Sequence, residues 1–184
     1  LPICPGNKLG PFPFPTTDPK KPFSQSKWAI IADMDDSTYS APTISRLLSL
    51  TTQQYDGVIH NGDFAYNIHT SKGKVGDNYF RTFSKVSTLI PFIVTPGNHE
   101  YFDNFRFFNY RFQMPGGGNG LETRAANYYS FIQKGIYFVT INWDWVFQEG
   151  QNNMPEVLAW LTDQLNQVAK DTNVVYKVFF THKP

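Results

Sequence analysis

Carboxylates, a carboxamide, imidazoles and a phenol recur in this 184-residue chain just where apolar, strand-like runs end. Asp33 follows Trp28-Ala29-Ile30-Ile31-Ala32, and Asn61-Gly62-Asp63-Phe64-Ala65-Tyr66 follows Gly57-Val58-Ile59-His60. Pro96-Gly97-Asn98-His99-Glu100 follows Pro91-Phe92-Ile93-Val94-Thr95, and His182 closes the run 174–181. Ligands of open α/β sheets bind beyond the carboxyl ends of the strands, so these groups are expected to converge. Carboxylate, imidazole and amide oxygen suit a borderline or hard cation. The single cysteine, Cys4, excludes an internal disulfide and a Cys-rich zinc site. Taken alone, each residue has a plainer reading: Asp33 or Asp63 as a turn former or helix cap, Gly97-Asn98 as a turn pair, His182 as a structural histidine. Independent turn formation does not predict all of them at successive strand ends.

The elements that must hold these groups alternate between strand and helix. The run 28–32 reads as a strand buried on both faces. Ser40 is placed to cap a helix reaching about residue 54, with Ile44, Leu47 and Leu48 at helical spacing, and 57–60 is the next strand. The spacing of Phe80, Phe83, Val86 and Ile90 predicts a helix over 77–90, and 91–95 a third strand. A loop rich in Phe, Asn and Arg and the connector Gly116-Gly117-Gly118 come next. Strands at 127–132 and 136–141 are joined as a hairpin through Lys134-Gly135. Pro155 suits the first turn of a helix reaching Lys170, with Val157, Leu158, Leu161, Leu165 and Val168 as its apolar stripe.

Composition bounds the function. Sixteen Lys and Arg against fifteen Asp and Glu leave a net charge of +1, with 17% of residues charged, which argues against a basic nucleic-acid clamp or an acidic disordered tail. Aromatic residues also reach 17%, so large rings must fill the interior or line a cleft. There is neither an apolar run long enough to span a membrane nor a basic-then-apolar signal at the start. Residues 1–26 hold more than half of the thirteen prolines and read as an extended leader or linker. A start at Leu1 and a stop directly after an apolar strand lead us to expect a piece of a longer product.

The series Asp33, Gly62-Asp63-x-x-Tyr66, Gly97-Asn98-His99-Glu100 and His182 resembles the first four blocks of the calcineurin-like metallophosphoesterases. Tyr66 is similar to the tyrosine of the purple acid phosphatases, and 94–101, Asn104-Phe105 and Tyr110-Arg111-Phe112-x-Met114-Pro115 extend the likeness to the larger members. The resemblance implies an α/β fold: a four-layer α/β/β/α sandwich of two sheets flanked by helices, with 27–184 the catalytic domain, ending before the last ligand block. It implies a dinuclear centre of Fe(III) and a divalent ion (Zn, Mn or Fe), with Asp33 and Tyr66 on the first metal, Asp63 bridging, and Asn98 and His182 on the second. His99 would contact phosphate and protonate the leaving group. The implied reaction is acid phosphatase hydrolysis of small phosphate monoesters by metal-bound hydroxide, with no nucleic-acid or membrane partner, in a secreted or lysosomal/vacuolar setting.

Three departures qualify this. The family's Gly-His-x-His block is missing, since the histidines are His60, His69, His99 and His182, and a chain that ends too soon is the favoured cause; the piece alone is then expected to be inactive. The first block reads Ala32-Asp33-Met34-Asp35, so Asp35 either supplements or replaces Tyr66 at the first metal or, the preferred reading, caps the following helix. The upstream β-sandwich domain of larger members does not fit into residues 1–26. His60 is expected to pack against the sheet, His69 to lie exposed in a loop, Arg106 and Arg111 to lie over rings, and Asn142, Trp143 and Asp144 to reach substrate. The alternatives carried forward are a non-purple phosphodiesterase or protein phosphatase, and a non-catalytic binding module of the same fold.

Overall fold

The computed structural model describes residues 25–35, 39–49, 55–112, 114, 127–148 and 152–183. Strands β1 (Trp28–Ile31), β2 (Gly57–Asn61) and β3 (Phe92–Thr95) form a parallel sheet in the order β1-β2-β3. In the second sheet, β4 (Tyr128–Gln133) and β5 (Ile136–Ile141) make an antiparallel hairpin, and β5 pairs in parallel with β6 (Tyr176–Phe180). The helices are α1 (Ala41–Ser49), α2 (Lys74–Ser87), α3 (Phe102–Asn109), the single turn α4 (Trp143–Val146) and α5 (Met154–Val168).

Side-chain alternation along the strands builds the layers. In β2, Val58 and His60 face the helices, His60 lying against Tyr79 and Phe83 of α2, while Ile59 turns to the second sheet with Tyr129, Phe138 and Phe180. In β5, Phe138 faces the first sheet, whereas Tyr137 and Val139 pack on Val168, Trp160 and Leu161 of α5. The result is the expected α/β/β/α sandwich. Aromatic rings fill much of the interior: Phe64, Tyr79, Phe83, Phe105, Phe108 and Tyr129 are all buried, while Tyr39, Tyr110 and Phe147 are exposed.

The strands fall within a residue or two of their expected bounds, and the helices differ more. α2 begins at Lys74 rather than 77, directly after Gly73, whose φ of 89° is left-handed. The stretch expected to be a loop contains α3, whose first turn is left-handed at Asp103, Asn104 and Phe105. Phe105 and Phe108, three residues apart, are completely buried and anchor it. The leader apart from Gln25 and Ser26, the glycine connector, Cys4 and the continuation of α1 past Ser49 lie outside the described residues.

Polar ties also join the sheets, among them one at the amino end of the strands and one in the interior. At the amino end, Asp56 accepts hydrogen bonds from Ser26 Oγ (3.0 Å), Lys27 N (2.9 Å) and Lys134 Nζ (2.7 Å), joining β1 and β2 to the β4–β5 turn. Burial raises the Asp56 pKa, but these bonds, that to Lys134 foremost, outweigh it and the net shift is downward. In the interior, the Tyr129 hydroxyl donates to the Val94 carbonyl.

His60 is completely buried, stacked on Phe64 at 3.9 Å, with its Nε2 2.6 Å from the Tyr79 hydroxyl. Burial, reinforced by the nearby charge of His182, pushes its pKa down to about 3 from 6.5. Between these values the unfolded chain binds the extra proton, so stability falls as pH drops below 6.5. The expected loss attributable to His60 is about 2 kcal/mol between pH 8 and pH 5. Urea unfolding across that range checks it: His60→Phe should flatten the slope, and an unchanged slope would contradict the assignment.

Candidate metal centre

Two loops are zipped together at the ends of β1 and β2. Asp33 N donates to Gly62 O (3.1 Å), Met34 N to Asp63 O (3.1 Å) and Ala65 N to Met34 O (2.8 Å). Asp33 and Asp63 both have φ of 55°, a conformation that Asp and Asn tolerate better than most residues. Gly62 has φ of 85°, and a Cβ there would lie 2.7 Å from His182 Nδ1; a Cβ on Gly97 would lie 2.2 Å from Asp63 Oδ1. Both glycines therefore let backbone approach the converging side chains closely.

Ligand-type atoms of Asp33, Asp63 and His182 lie within 4.8 Å of one another. His182 Nε2 is 3.4 Å from Asp63 Oδ1 and 3.2 Å from Asn98 Oδ1. Its Nδ1 is 2.8 Å from the Asn61 carbonyl, which can only accept, so Nδ1 carries a hydrogen and Nε2 is the ring nitrogen left to face the cluster. Two carboxylates, an amide oxygen and an imidazole nitrogen thus share one space, and a cation is what satisfies such a set of ligand atoms. The donor set fits a metal. The Tyr66 hydroxyl donates to Asp33 Oδ1 (3.2 Å). Burial, then the carboxylates of Asp33, Asp63 and Asp35, push the Tyr66 pKa up to about 12, so without a cation the phenol keeps its proton.

His99 is anchored by its backbone N–H, which donates to Asp63 Oδ1 (3.1 Å), and its ring meets Tyr66 edge-on at 4.8 Å. Its Nδ1 is 3.2 Å from Asn67 Oδ1, and its Nε2 is 3.8 Å from Asp63 Oδ2. The Nε2 edge is therefore the one turned to the cluster. Asn67 was not singled out from the sequence, and no spacing rule would have found it.

Glu100 is the larger omission. Its carboxylate is 1% exposed and accepts from Asp63 N (2.9 Å), Phe64 N (2.9 Å) and Gly97 N (2.8 Å), binding the Asp63 loop to the Asn98-His99 loop. Burial pushes its pKa up to about 8 against the pull of the Phe64 and Gly97 N–H groups. A Glu three residues after Gly97, where a capping box would put it, was the available signal.

The remaining candidates lie elsewhere. Asp35 accepts from Ser40 Oγ (2.9 Å) at the start of α1. His60 belongs to the helix-side core, as expected. His69, expected to be exposed, stacks on Phe102 at 4.0 Å. Arg111 lies over Phe80 and Phe107 and pairs with Asp77, and Arg106 lies over Tyr110. Asn142, expected to reach substrate, is buried instead: its Nδ2 donates to Asn127 and its Oδ1 accepts from Trp145 N to cap α4. Asp144 pairs with Lys183 at 2.7 Å.

Comparison with known proteins adds to this geometry. A family model, calcineurin-like phosphoesterase, matches residues 27–184. Acid phosphatase type 7 of Homo sapiens is 31% identical over 150 residues, 78% of this chain and 32% of the relative. Probable purple acid phosphatase 20 of Arabidopsis thaliana is 26% identical over 181 residues, 94% of this chain and 39% of the relative. The chain thus spans about a third of the length of the curated relatives it matches. The solved purple acid phosphatase PPD1 from yellow lupin (Lupinus luteus) seeds superposes with a TM-score of 0.61 at 14% identity, covering 84% of this chain and 29% of that one, a likeness of fold.

Proposed function

The chain belongs to the calcineurin-like phosphoesterase family, and from that premise we propose that it is the catalytic part of a dimetal acid phosphatase acting on small phosphate monoesters. One observation carries the proposal: Asp33, Asp63 and His182 meet within 4.8 Å, with Asn98 at 3.2 Å from His182, as acceptors around one point. Family membership itself implies a dinuclear centre. In this reading Asp33 and Tyr66 hold a first metal, Fe(III); Asp63 bridges; Asn98 and His182 hold a divalent second metal, Zn, Mn or Fe. Residues 27–184 form the catalytic domain. When bound, such a pair neutralises phosphate charge and makes water acidic enough to act as a nucleophile near neutral pH.

The chain's own residues supply the rest. Asp63, 3% exposed and held through its N–H by Glu100, presents both carboxylate oxygens: Oδ1 toward His182, Oδ2 toward His99. The His99 side chain is 35% exposed, and its Nε2 edge beside Asp63 is the position from which a proton would pass to the departing alkoxide. Tyr66 is 40% exposed and meets the His99 ring edge-on. Among the described residues no helix is long and apolar enough to cross a membrane. A secreted or lysosomal/vacuolar setting is part of the same proposal.

The test is turnover of an aryl phosphate monoester against the corresponding diester at acidic pH, with the visible spectrum recorded alongside. Monoester preference is expected, and Tyr66→Phe should abolish the visible band of a ferric phenolate while sparing much of the turnover. An unchanged band would remove Tyr66 from the first metal.

A further inference from the structure

The proposed ligands come from two different sheets: Asp33, Asp63 and Asn98 follow β1, β2 and β3, whereas His182 follows β6. Where the sheets face each other they are apolar, with Ile59, Ile93, Tyr129, Phe138 and Phe180 in contact. Such packing is non-directional and does not by itself fix the placement, to within about 0.5 Å, that a metal centre needs. Directional ties must do so. The Asp56–Lys134 tie lies at the opposite, amino end of the strands, and the Tyr129–Val94 tie in the interior.

At the carboxyl end the tie is Asn61. It follows Ile59 by two positions and so shares its inter-sheet face. Its Nδ2 donates to the Thr181 carbonyl at 2.6 Å, and its own carbonyl accepts from His182 Nδ1 at 2.8 Å. One residue of the first sheet thus grips the two residues that directly follow β6, the latter being the proposed ligand. We propose that Asn61 is a positioning residue for the second metal, registering His182 against Asp63 and Asn98 and fixing the ring so that Nε2 faces them. The inference rests on the reading of His182 as a ligand. Partners that orient a ligating histidine typically carry a 10- to 100-fold share of metal affinity, and Asn61 acts on both the ring and the chain before it.

The experiment is a Co2+ titration of the intact protein after metal removal, followed by visible absorption, with thermal unfolding measured in parallel. Asn61→Leu removes the donor at similar volume, and Asn61→Asp sets a carboxylate against the Thr181 carbonyl. Both are expected to bind the second Co2+ at least about 10-fold more weakly, with an altered band. Asn61→His, whose ring offers an N–H near the lost one, should recover most of the affinity. Tyr129→Phe, which deletes the inter-sheet bond in the interior, should lower stability without changing Co2+ affinity. The proposal is overturned if the Leu and Asp variants match wild type in affinity and spectrum, or if Tyr129→Phe weakens Co2+ as much as they do. Should those two variants not fold, Asn61→Ser, too short to reach Thr181, is read by the same criteria. His182→Ala separates the premise: if it keeps the second Co2+, the ligand reading fails whatever Asn61 does.

Discussion

Asp63→Asn should lower turnover by more than about 100- to 1,000-fold while leaving the fold intact. The asymmetry follows from what the substitution changes. Asp63 has φ of 55°, a conformation asparagine adopts as readily as aspartate, and the bond from His99 N to Oδ1 survives with an amide oxygen as acceptor. What disappears is the negative charge that two cations would share in the proposed centre. Without it their mutual repulsion is unscreened, and the Nε2 atoms of His182 and His99, 3.4 Å and 3.8 Å away, face a neutral amide. Steady-state kinetics on a phosphate monoester, with an unfolding curve for each protein, checks both halves. Full activity would remove Asp63 from the bridging position.

Glu100→Ala should have the largest effect on stability among the residues around the centre. The substitution leaves three buried N–H groups, those of Asp63, Phe64 and Gly97, without an acceptor. Each orphaned donor costs about 1–3 kcal/mol, so a loss of at least about 3 kcal/mol is expected from urea unfolding. Metal affinity should fall with it, because the same carboxylate ties the loop carrying Asp63 to the loop carrying Asn98. Glu100→Gln should fall between, since its amide keeps one acceptor oxygen but turns a second donor toward N–H groups that need an acceptor. A midpoint shift for Glu100→Ala equivalent to less than about 1 kcal/mol would show that the two loops hold their geometry unaided.

What the sequence disclosed and what it hid divide along physical lines. Apolar runs such as Val58-Ile59 and Ile93-Val94 announced buried strands because burial on both faces favours apolar side chains at successive positions. Groups that end such runs announced the site, since Asp33, Asp63, Asn98 and His182 do converge. α3 was hidden because Asp103, Asn104 and Arg106 break its apolar pattern, leaving Phe105 and Phe108 to carry the burial. Asn142 sat at a strand end like the others, yet its side chain was spent on capping α4 and on Asn127. The Asn61 tie to Thr181 spans 120 positions in sequence, and no local pattern encodes a pairing between two sheets. Glu100 was quoted within its block but carried no role, because its partners are backbone N–H groups, which every sequence has.

The phosphatase proposal requires that the intact protein hold two metals at this point. Elemental analysis with a visible absorption spectrum of the purified protein is the most direct measurement. Two metals per chain, one of them iron, with a broad visible band lost in Tyr66→Phe, is the predicted result. A properly folded protein that takes up no metal would contradict it, and Asp33, Asp63, Asn98 and His182 would then be the scaffold of a binding module.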